Sequence, residues 1–294
     1  MTVGATYRIT HRTEYRYSAR VAPSYSLLHL LPRDAPGQRC LEAAITVDPA
    51  PEDQGEHRDF FGNRVAYVAV TAPHRALTVT ATSVVEVDGG RGPASLSLFG
   101  QQTWEEARDH RDVEAVHYAL DSPRVEADAA FADYAAPSFT PGRQLVEAVT
   151  DLSSRIHADF TFAPGETKVD TPLTEVLETR QGVCQDFAHL GIACLRSLGL
   201  PARYVSGYLE TDPPPGRPKL TGADVSHAWF SVLFPGAGWL DLDPTNDQVV
   251  GDRHIVTAYG RDYSDVAPLS GVMYTRGRTT RLKVEVDVVA LTPA

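Results

Sequence analysis

Three residues in the second half of the chain could together carry out nucleophilic chemistry: Cys184, His227 and Asp243. Cys184 opens an apolar run that predicts a buried helix. A helix N-terminus carries a partial positive charge and unpaired N–H groups, which favour the thiolate and can stabilise an oxyanion beside the sulfur. Because a lone cysteine is more often a small core residue, this placement alone is a weak indication of catalysis.

A base and an orienting group follow Cys184 in the chain. His227 begins one predicted strand, and Asp243 ends the next. The turn at 235–238 would make these strands antiparallel neighbours and bring both side chains to the same end. Covalent catalysis needs such a base beside the nucleophile and a third group that holds the base. Taken singly, His227 could be a core histidine, and Asp243 before Pro244 could be a turn former.

Two alternatives stay open from the residues alone. Asp241 lies two positions before Asp243, so strand alternation places both carboxylates on the same face and does not separate them. The set of Cys184, His227 and Asp243 also offers three ligands of mixed type, which would suffice for a catalytic zinc ion.

The elements that must position these residues follow from the apolar pattern. Residues 184–198 predict a largely apolar helix that ends at Gly199 and Pro201. The proline-rich run 212–218 predicts an exposed loop. One strand is expected before that loop, at 204–208, and two strands are expected after it, at 227–234 and 239–242.

Further helices are predicted upstream of the cysteine. Thr103 and Glu106 match a capping box for a short helix. Thr140-Pro141 predicts the N-cap and first position of a longer helix. Thr171-Pro172 predicts the start of another short one. The longer helix has one apolar face, made of Leu145, Val149, Leu152 and Ile156.

The first part of the chain alternates apolar and polar residues, as strands do. The clearest runs are 7–17, 41–47 and 77–87, separated by turn formers, and they predict an antiparallel sheet or sandwich. Residues 88–93 predict a turn at the domain boundary. We expect the alternating segment 281–290 to return to the N-terminal sheet, which would leave no flexible hinge between two domains.

Composition limits the partners and the location. A formal net charge of −11 argues against nucleic acid or an anionic membrane as the main partner. No stretch approaches the length of a membrane span, and residues 1–20 lack the apolar run of a signal peptide. The three cysteines form no regular disulfide framework and no CxxC zinc pair. We therefore expect a cytoplasmic protein with reduced thiols and no cofactor.

Several segments, in order along the chain, resemble the bacterial transglutaminase-like superfamily. The run 182–190 is similar to its nucleophile motif, and 199–208 follows as in that family. His227-Ala228-Trp229 resembles the histidine motif, and Asp243-Pro244-Thr245-Asn246 resembles the aspartate motif. Segments outside these four motifs are also similar: 260–268 near the C-terminus, and Tyr15-Arg16-Tyr17 and Leu31-Pro32-Arg33 in a β-rich N-terminal domain.

The resemblance implies an α+β fold. An N-terminal antiparallel β-sandwich-like domain would be followed by a papain-like, transglutaminase-like core, with the C-terminal strand returning to the first sheet. The expected divisions are 1–95 for the β-rich domain, 96–139 for a helical connector, 140–270 for the catalytic core and 271–294 for the C-terminal strand segment.

The resemblance also implies roles for the three residues. Cys184 would be the nucleophile, His227 the general base and then acid, and Asp243 the residue that orients His227. The aspartate motif favours Asp243 over Asp241, and the likeness favours thiol chemistry over a metal site. No acidic cluster resembles a calcium-binding loop, so calcium dependence of the animal enzyme kind is not expected.

Further residues are candidates for the substrate cleft or for contacts behind the triad. Gln185 could donate to an oxyanion or face away, and Trp229 could wall the cleft or pack as core. Animal transglutaminases use an upstream tryptophan as an oxyanion donor, and 140–183 contains none. Asp186 and His189, one turn apart, are expected to be structural. The full set of candidates is Gln185, Asp186, Tyr208, Trp229 and Asp262.

The leading hypothesis is an enzyme that transfers an acyl group from a protein or peptide amide through a thioester on Cys184. Hydrolysis, as in a protease or amidase, is favoured slightly over transfer to an amine, because many members of the superfamily are hydrolases. The alternative is a catalytically silent binding or scaffold protein, which would be expected to lack a triad residue. A relative of peptide-N-glycanase is disfavoured by the absence of CxxC zinc pairs.

Overall fold

The computed structural model of the chain describes residues 4–89, 92–109, 113–211 and 226–291. Two predicted features fall outside these ranges: the centre of the turn at 88–93 and the proline-rich loop at 212–218. The order of the described elements follows the predicted division into a strand-rich first part and a mixed core.

The N-terminal part begins with five strands. The first alternates buried and half-exposed residues over most of its 24-residue length, as its sequence predicts. These strands are β1 (Ala5–Leu28), β2 (Gln38–Asp48), β3 (Asp53–Arg58), β4 (Arg64–Val70) and β5 (His74–Val87).

A short 3₁₀ helix (Pro93–Phe99) leads to helices α1 (Trp104–Arg108), α2 (Val113–Ala119) and α3 (Ala129–Ala135). The predicted capping box is present at α1: the Thr103 hydroxyl accepts from the N–H of Glu106, and the Glu106 carboxylate accepts from the N–H of Thr103. Nowhere in the described ranges is a helix long and apolar enough to cross a membrane.

Helix α4 spans Leu145–Asp159 and buries the predicted apolar face. Its N-cap is Gln144, so the expectation that the helix begins at Thr140-Pro141 is wrong. The reason is local: Gly142 has a φ of 75°, and the Arg143 N–H closes a turn on the Thr140 carbonyl. A left-handed residue cannot continue a right-handed helix.

The rest of the chain runs from a two-residue strand to the two strands that return to the N-terminal sheet. Its strands are β6 (Thr161–Phe162), β7 (Gln181–Gly182), β8 (Ala202–Leu209), β9 (Ser226–Phe234), β10 (Gly238–Asp243), β11 (Gln248–Val249), β12 (His254–Gly260), β13 (Leu269–Thr275) and β14 (Thr279–Leu291). Its helices are α5 (Leu173–Thr179), α6 (Cys184–Ser197) and α7 (Tyr263–Val266). The helix and the three strands expected around Cys184, His227 and Asp243 are confirmed, whereas β12 and β13 were not predicted.

A five-stranded antiparallel sheet, in the order β11-β10-β9-β8-β12, forms the centre of the core. Helix α6 packs against β8 and β9 and contacts α3, α4 and α5. Its buried side chains share one apolar cluster with residues from the predicted connector, including Ala107 and Phe131. The helices at 104–135 therefore pack as part of the core, and the domain boundaries stay predictions.

The N-terminal sheet is one curled antiparallel sheet of seven strands. The first half of β1 lies between β5 and β14, and its second half lies between β4 and β13. Apolar residues of both halves face each other, which gives the sandwich-like form; they include Leu28, Val68 and Val79. The predicted return of the C-terminal strand is confirmed, since β14 pairs with β1 from Thr6 to Tyr17.

Two amide side chains of the N-terminal part form hydrogen bonds with the backbone of β12, an edge strand of the core sheet. Gln38 accepts from the N–H of Val256 and donates to its carbonyl, both at 2.8 Å. Asn63 does the same with Tyr259, at 2.8 and 2.7 Å. We call Gln38 and Asn63 the amide clamp. Because both side chains are buried, the clamp satisfies edge-strand groups that have no access to water.

The amide clamp predicts an effect on stability. Gln38→Leu or Asn63→Leu should each lower the free energy of unfolding by about 1–3 kcal/mol, because buried N–H and C=O groups of β12 lose their partners. Denaturant unfolding of the full chain measures the change.

The matched control is Gln54→Leu, since Gln54 lies exposed on the edge strand β3 of the same sheet. It should change stability by less than about 0.5 kcal/mol. Equal losses in Gln38→Leu and Gln54→Leu would contradict a structural role for the clamp.

Candidate active site

Cys184 is the first residue of α6 and is half-buried. Val183 before it is extended, and the buried Asp186 carboxylate accepts from the Val183 N–H at 2.8 Å and from the Thr167 hydroxyl at 2.7 Å. A Cβ on Gly182 would lie 2.9 Å from the Asp186 side chain, so only glycine fits at this position before the helix. Asp186 thus fixes the turn that presents Cys184, as expected of a structural residue.

The environment of Asp186 affects its charge. Burial raises the pKa of this carboxyl and outweighs the hydrogen bonds from Thr167 and Val183, which act in the opposite direction.

His227 lies near the start of β9, opposite Gly207 of β8. A Cβ on Gly207 would collide with the Ile255 carbonyl and the ring of Trp229. Glycine at this position therefore allows β8 and β12 to approach each other while the tryptophan ring lies across the strand behind His227.

Asp243 ends β10 and is inaccessible to solvent. Its Oδ2 lies 2.7 Å from His227 Nε2 and accepts from Asn246 Nδ2 at 2.7 Å. Its Oδ1 accepts from the backbone N–H groups of Thr245 and Asn246 at 3.0 and 3.2 Å. The turn after the strand thus holds one oxygen, and side chains hold the other.

The ring of His227 interacts with the carboxylate of Asp243 and with the side chain of Cys184. Its Nε2 lies 2.7 Å from Asp243 Oδ2. Burial disfavours the protonated ring, but the interactions with Asp243 and Cys184 outweigh it and hold the pKa of His227 well above its ordinary value. The arrangement therefore favours the imidazolium form of His227.

Asp243 stays ionised for a related reason. Burial disfavours its charge, but hydrogen bonds from His227 and His254 hold the pKa of this carboxyl well below its usual range. The rival Asp241 lies on the same strand and accepts instead from the Ser231 hydroxyl. The structure therefore brings Asp243, and not Asp241, to His227.

Two candidates flank the three residues. Gln185 is half-exposed beside Cys184 and donates from Nε2 to the Val169 carbonyl at 3.3 Å. Trp229 is fully buried, with its ring 6.0 Å from that of His227 between centroids. Of the two interpretations of Trp229, the structure favours packing behind the histidine over a wall of an open cleft.

The structure does not bring Tyr208 into the site. Its hydroxyl lies 3.1 Å from His11 Nδ1, in the junction with the N-terminal sheet. Asp262 is likewise buried, and it accepts from the N–H groups of Arg124 and Ser264 as the N-cap of α7. His189 accepts from the Tyr263 N–H at 3.0 Å. These residues have structural roles.

Two contacts of Asp243 were missed by sequence reasoning. Asn246 lay within the aspartate motif, but its role as a donor was not seen. His254 contacts Asp243 Oδ2 from β12, with its Nε2 3.1 Å away. In the sequence, His254 is the first residue of the apolar run 254–260. Because no strand was predicted there, the sequence did not indicate that His254 would contact Asp243.

Within the described ranges, one group of side chains has the composition of a metal site. The ligand atoms of His227, Asp243 and His254 all lie within 4.8 Å of one another. Hydrogen bonds from both rings to a single carboxylate oxygen account for this approach, and Asn246 also donates to that oxygen.

Comparison with known families matches both parts of the chain. Residues 7–86 match the model of the bacterial transglutaminase-like N-terminal region, and residues 132–244 match that of the transglutaminase-like superfamily. An uncharacterized protein of Mycobacterium tuberculosis is 50% identical over 291 residues, which cover 96% of this chain and 92% of the relative.

Two further proteins are similar to this chain, one in the sequence of about half of it and one in its fold. A protein-glutamine gamma-glutamyltransferase of Pseudomonas aeruginosa is 31% identical over 159 residues, covering 52% of this chain and 23% of that protein. The crystal structure of a candidate cysteine protease from Cytophaga hutchinsonii superposes with a TM-score of 0.75, covering 99% of this chain and 92% of that one. At 20% identity, this likeness shows a shared fold.

The bonds at Asp243 predict how thiol reactivity depends on pH. In Asp243→Asn, His227 loses the charge that holds its pKa high, so the imidazolium is lost at a lower pH and the thiolate loses its partner. Alkylation of Cys184 by iodoacetamide near about pH 6 should fall at least about tenfold, the equivalent of one pKa unit.

Asp241→Asn is the matched control, because it removes a carboxylate from the same strand that does not contact His227. Its rate should stay within about twofold of the wild type, a difference well below one pKa unit. Equal losses in both variants, or none in Asp243→Asn, would contradict the assignment of the orienting carboxylate.

Proposed function

Because the chain belongs to the transglutaminase-like superfamily and carries the N-terminal region of its bacterial members, we propose that it is a cysteine enzyme acting on a protein or peptide amide. Cys184 is the nucleophile, His227 the base and acid, and Asp243 the orienting carboxylate. The observation that supports this most is the 2.7 Å contact of His227 with a buried, ionised Asp243, on a histidine whose pKa is also raised by the Cys184 side chain.

The reaction has two halves. The Cys184 thiolate attacks the amide carbonyl, and N–H groups in the first turn of α6 stabilise the oxyanion. The imidazolium of His227 gives its Nδ1 proton to the leaving amine or ammonia as the C–N bond breaks, which leaves a thioester. His227 then takes a proton from the attacking water or amine, and collapse of the second intermediate releases the sulfur.

Hydrolysis is the proposed outcome of the second half, because many members of this superfamily are hydrolases. Transfer to an amine is the other outcome of the same thioester. The likeness to a protein-glutamine gamma-glutamyltransferase makes amine transfer worth testing directly, although it covers about half of this chain.

We further propose that the protein works where thiols stay reduced, as in the cytoplasm. All three cysteines are free, although Cys40 and Cys184 are only half-buried. Such an environment would protect a reactive Cys184, since oxidation would remove the nucleophile.

The nucleophile is tested by the relative reactivity of the three thiols. Iodoacetamide should alkylate Cys184 at least about tenfold faster than Cys194 or Cys40 at about pH 7, because the thiolate is the reactive form. Burial raises the pKa of the Cys194 thiol far above its usual range and also raises that of Cys40. Peptide mapping after limited labelling measures the three rates. Equal labelling in the folded protein would rule out an activated Cys184.

The acyl acceptor is tested with glutamine-containing peptides and an excess of a primary amine, followed by mass spectrometry. Hydrolysis predicts a carboxylic acid or a cleaved peptide, and transfer predicts the amine adduct. Cys184→Ala should abolish every product, with Cys194→Ala as the matched control. Products that persist in Cys184→Ala would refute the mechanism, and an activated Cys184 without any product would point to a small-molecule amide.

A further inference from the structure

A second histidine, His254, contacts the same carboxylate oxygen of Asp243 as His227 does. His254 Nε2 is 3.1 Å from Asp243 Oδ2, and the ring is almost fully buried. The rings of Trp229 and His254 pack in a T-shaped arrangement, with a centroid distance of 5.3 Å and an interplanar angle of 79°. The ring is therefore held in place by packing as well as by its hydrogen bonds.

The tautomer of His254 follows from its other ring nitrogen. The Gly251 N–H donates to Nδ1 at 3.4 Å, so Nδ1 is the acceptor and the proton of the neutral ring is on Nε2. His254 consequently donates to the carboxylate. Its role differs from that of His227, whose ring interacts with Cys184 as well as with the carboxylate.

His254 completes the set of donors around Asp243. Oδ2 faces His227 Nε2, Asn246 Nδ2 and His254 Nε2, while Oδ1 accepts from two backbone N–H groups. A carboxylate without solvent contact keeps its charge only when donors replace the lost water. Of the three groups at Oδ2, His254 alone comes from β12. It therefore links the carboxylate to this edge strand of the core sheet.

The strand that carries His254 is itself fixed by the N-terminal sheet. The amide clamp holds β12 at Val256 and Tyr259, beginning two residues beyond the histidine. Gln38 is bonded to the backbone of Arg33 as well, which anchors it to its own domain. The position of His254 thus depends on contacts that the catalytic core does not supply alone.

We propose that His254 is a positioning residue, which fixes the ionised Asp243 against His227 and so sustains the thiolate of Cys184. This inference rests on the proposed function of the three residues. It extends the site to β12 and makes the docked N-terminal sheet part of the apparatus that orients the base.

The test compares His254→Phe with His254→Gln. Phenylalanine keeps the ring volume but removes the donor, whereas the amide of glutamine can place an N–H near the former Nε2. The measurement is the pH profile of Cys184 alkylation by iodoacetamide in the full chain. Labelling of Cys194, which is fully buried, reports on unfolding in the same samples.

His254→Phe should slow alkylation near about pH 6 by about tenfold, the effect of one hydrogen bond to a charged group, and shift the acid limb of the profile to higher pH. Above about pH 9.5, where an ordinary thiol is ionised, its rate should match the wild type within about twofold. His254→Gln should recover the rate at low pH to within about threefold of the wild type, less than a single neutral hydrogen bond contributes.

The outcomes separate the two proposals. A wild-type protein whose Cys184 reacts no faster than Cys40 at about pH 6, where ordinary thiols are protonated, would overturn the proposed function itself. A reactive wild type with an unchanged His254→Phe profile would overturn only the positioning role. A shift that His254→Gln fails to reverse would assign the effect to packing and would also overturn it. If His254→Phe exposes Cys194, His254→Asn, whose amide is too short to reach Oδ2, takes its place in the comparison.

Discussion

The site depends on one buried negative charge, the carboxylate of Asp243. A carboxylate at this depth would be expelled or protonated without compensation, because an unpaired buried charge costs several kcal/mol. Here the turn after β10 supplies two backbone N–H groups, and Asn246, His227 and His254 surround the other oxygen. The charge in turn raises the affinity of His227 for its proton. In the mechanism that we propose, the reactivity of Cys184 therefore depends on this buried carboxylate.

The two parts of the chain meet at the strand where this control is exerted. β12 is an edge strand of the core sheet, and an edge strand presents unpaired backbone groups. Gln38 and Asn63 satisfy these groups at two positions with paired hydrogen bonds, so the N-terminal sheet covers the edge as an additional strand would. The return of β13 and β14 to β1 links the end of the chain to the same sheet. Both features oppose movement of one part against the other.

The sequence predicts those features that depend on local pattern. The apolar run after Cys184, the stop at Gly199 and the alternation in 227–234 predict the helix and the strand that carry Cys184 and His227. Alternation could not separate Asp243 from Asp241, because the difference lies in which carboxylate reaches His227 across two strands. His254 and the amide clamp were missed for a similar reason: polar residues at such positions are usually solvated, and only tertiary packing buries them. The start of α4 was misplaced because Gly142 takes a left-handed conformation that Thr140-Pro141 does not signal.

Reactivity and folding are coupled by this design. Cys184, His227, Asp243 and His254 lie on α6, β9, β10 and β12, so the four residues come together only when these four elements have docked. A buried ion pair adds little net stability, because desolvation offsets its Coulomb attraction, but removal of one partner leaves a charge uncompensated. The contacts around the buried carboxylate therefore penalise any partly docked state. In the mechanism that we propose, the full reactivity of Cys184 accordingly requires that the N-terminal sheet is docked on β12.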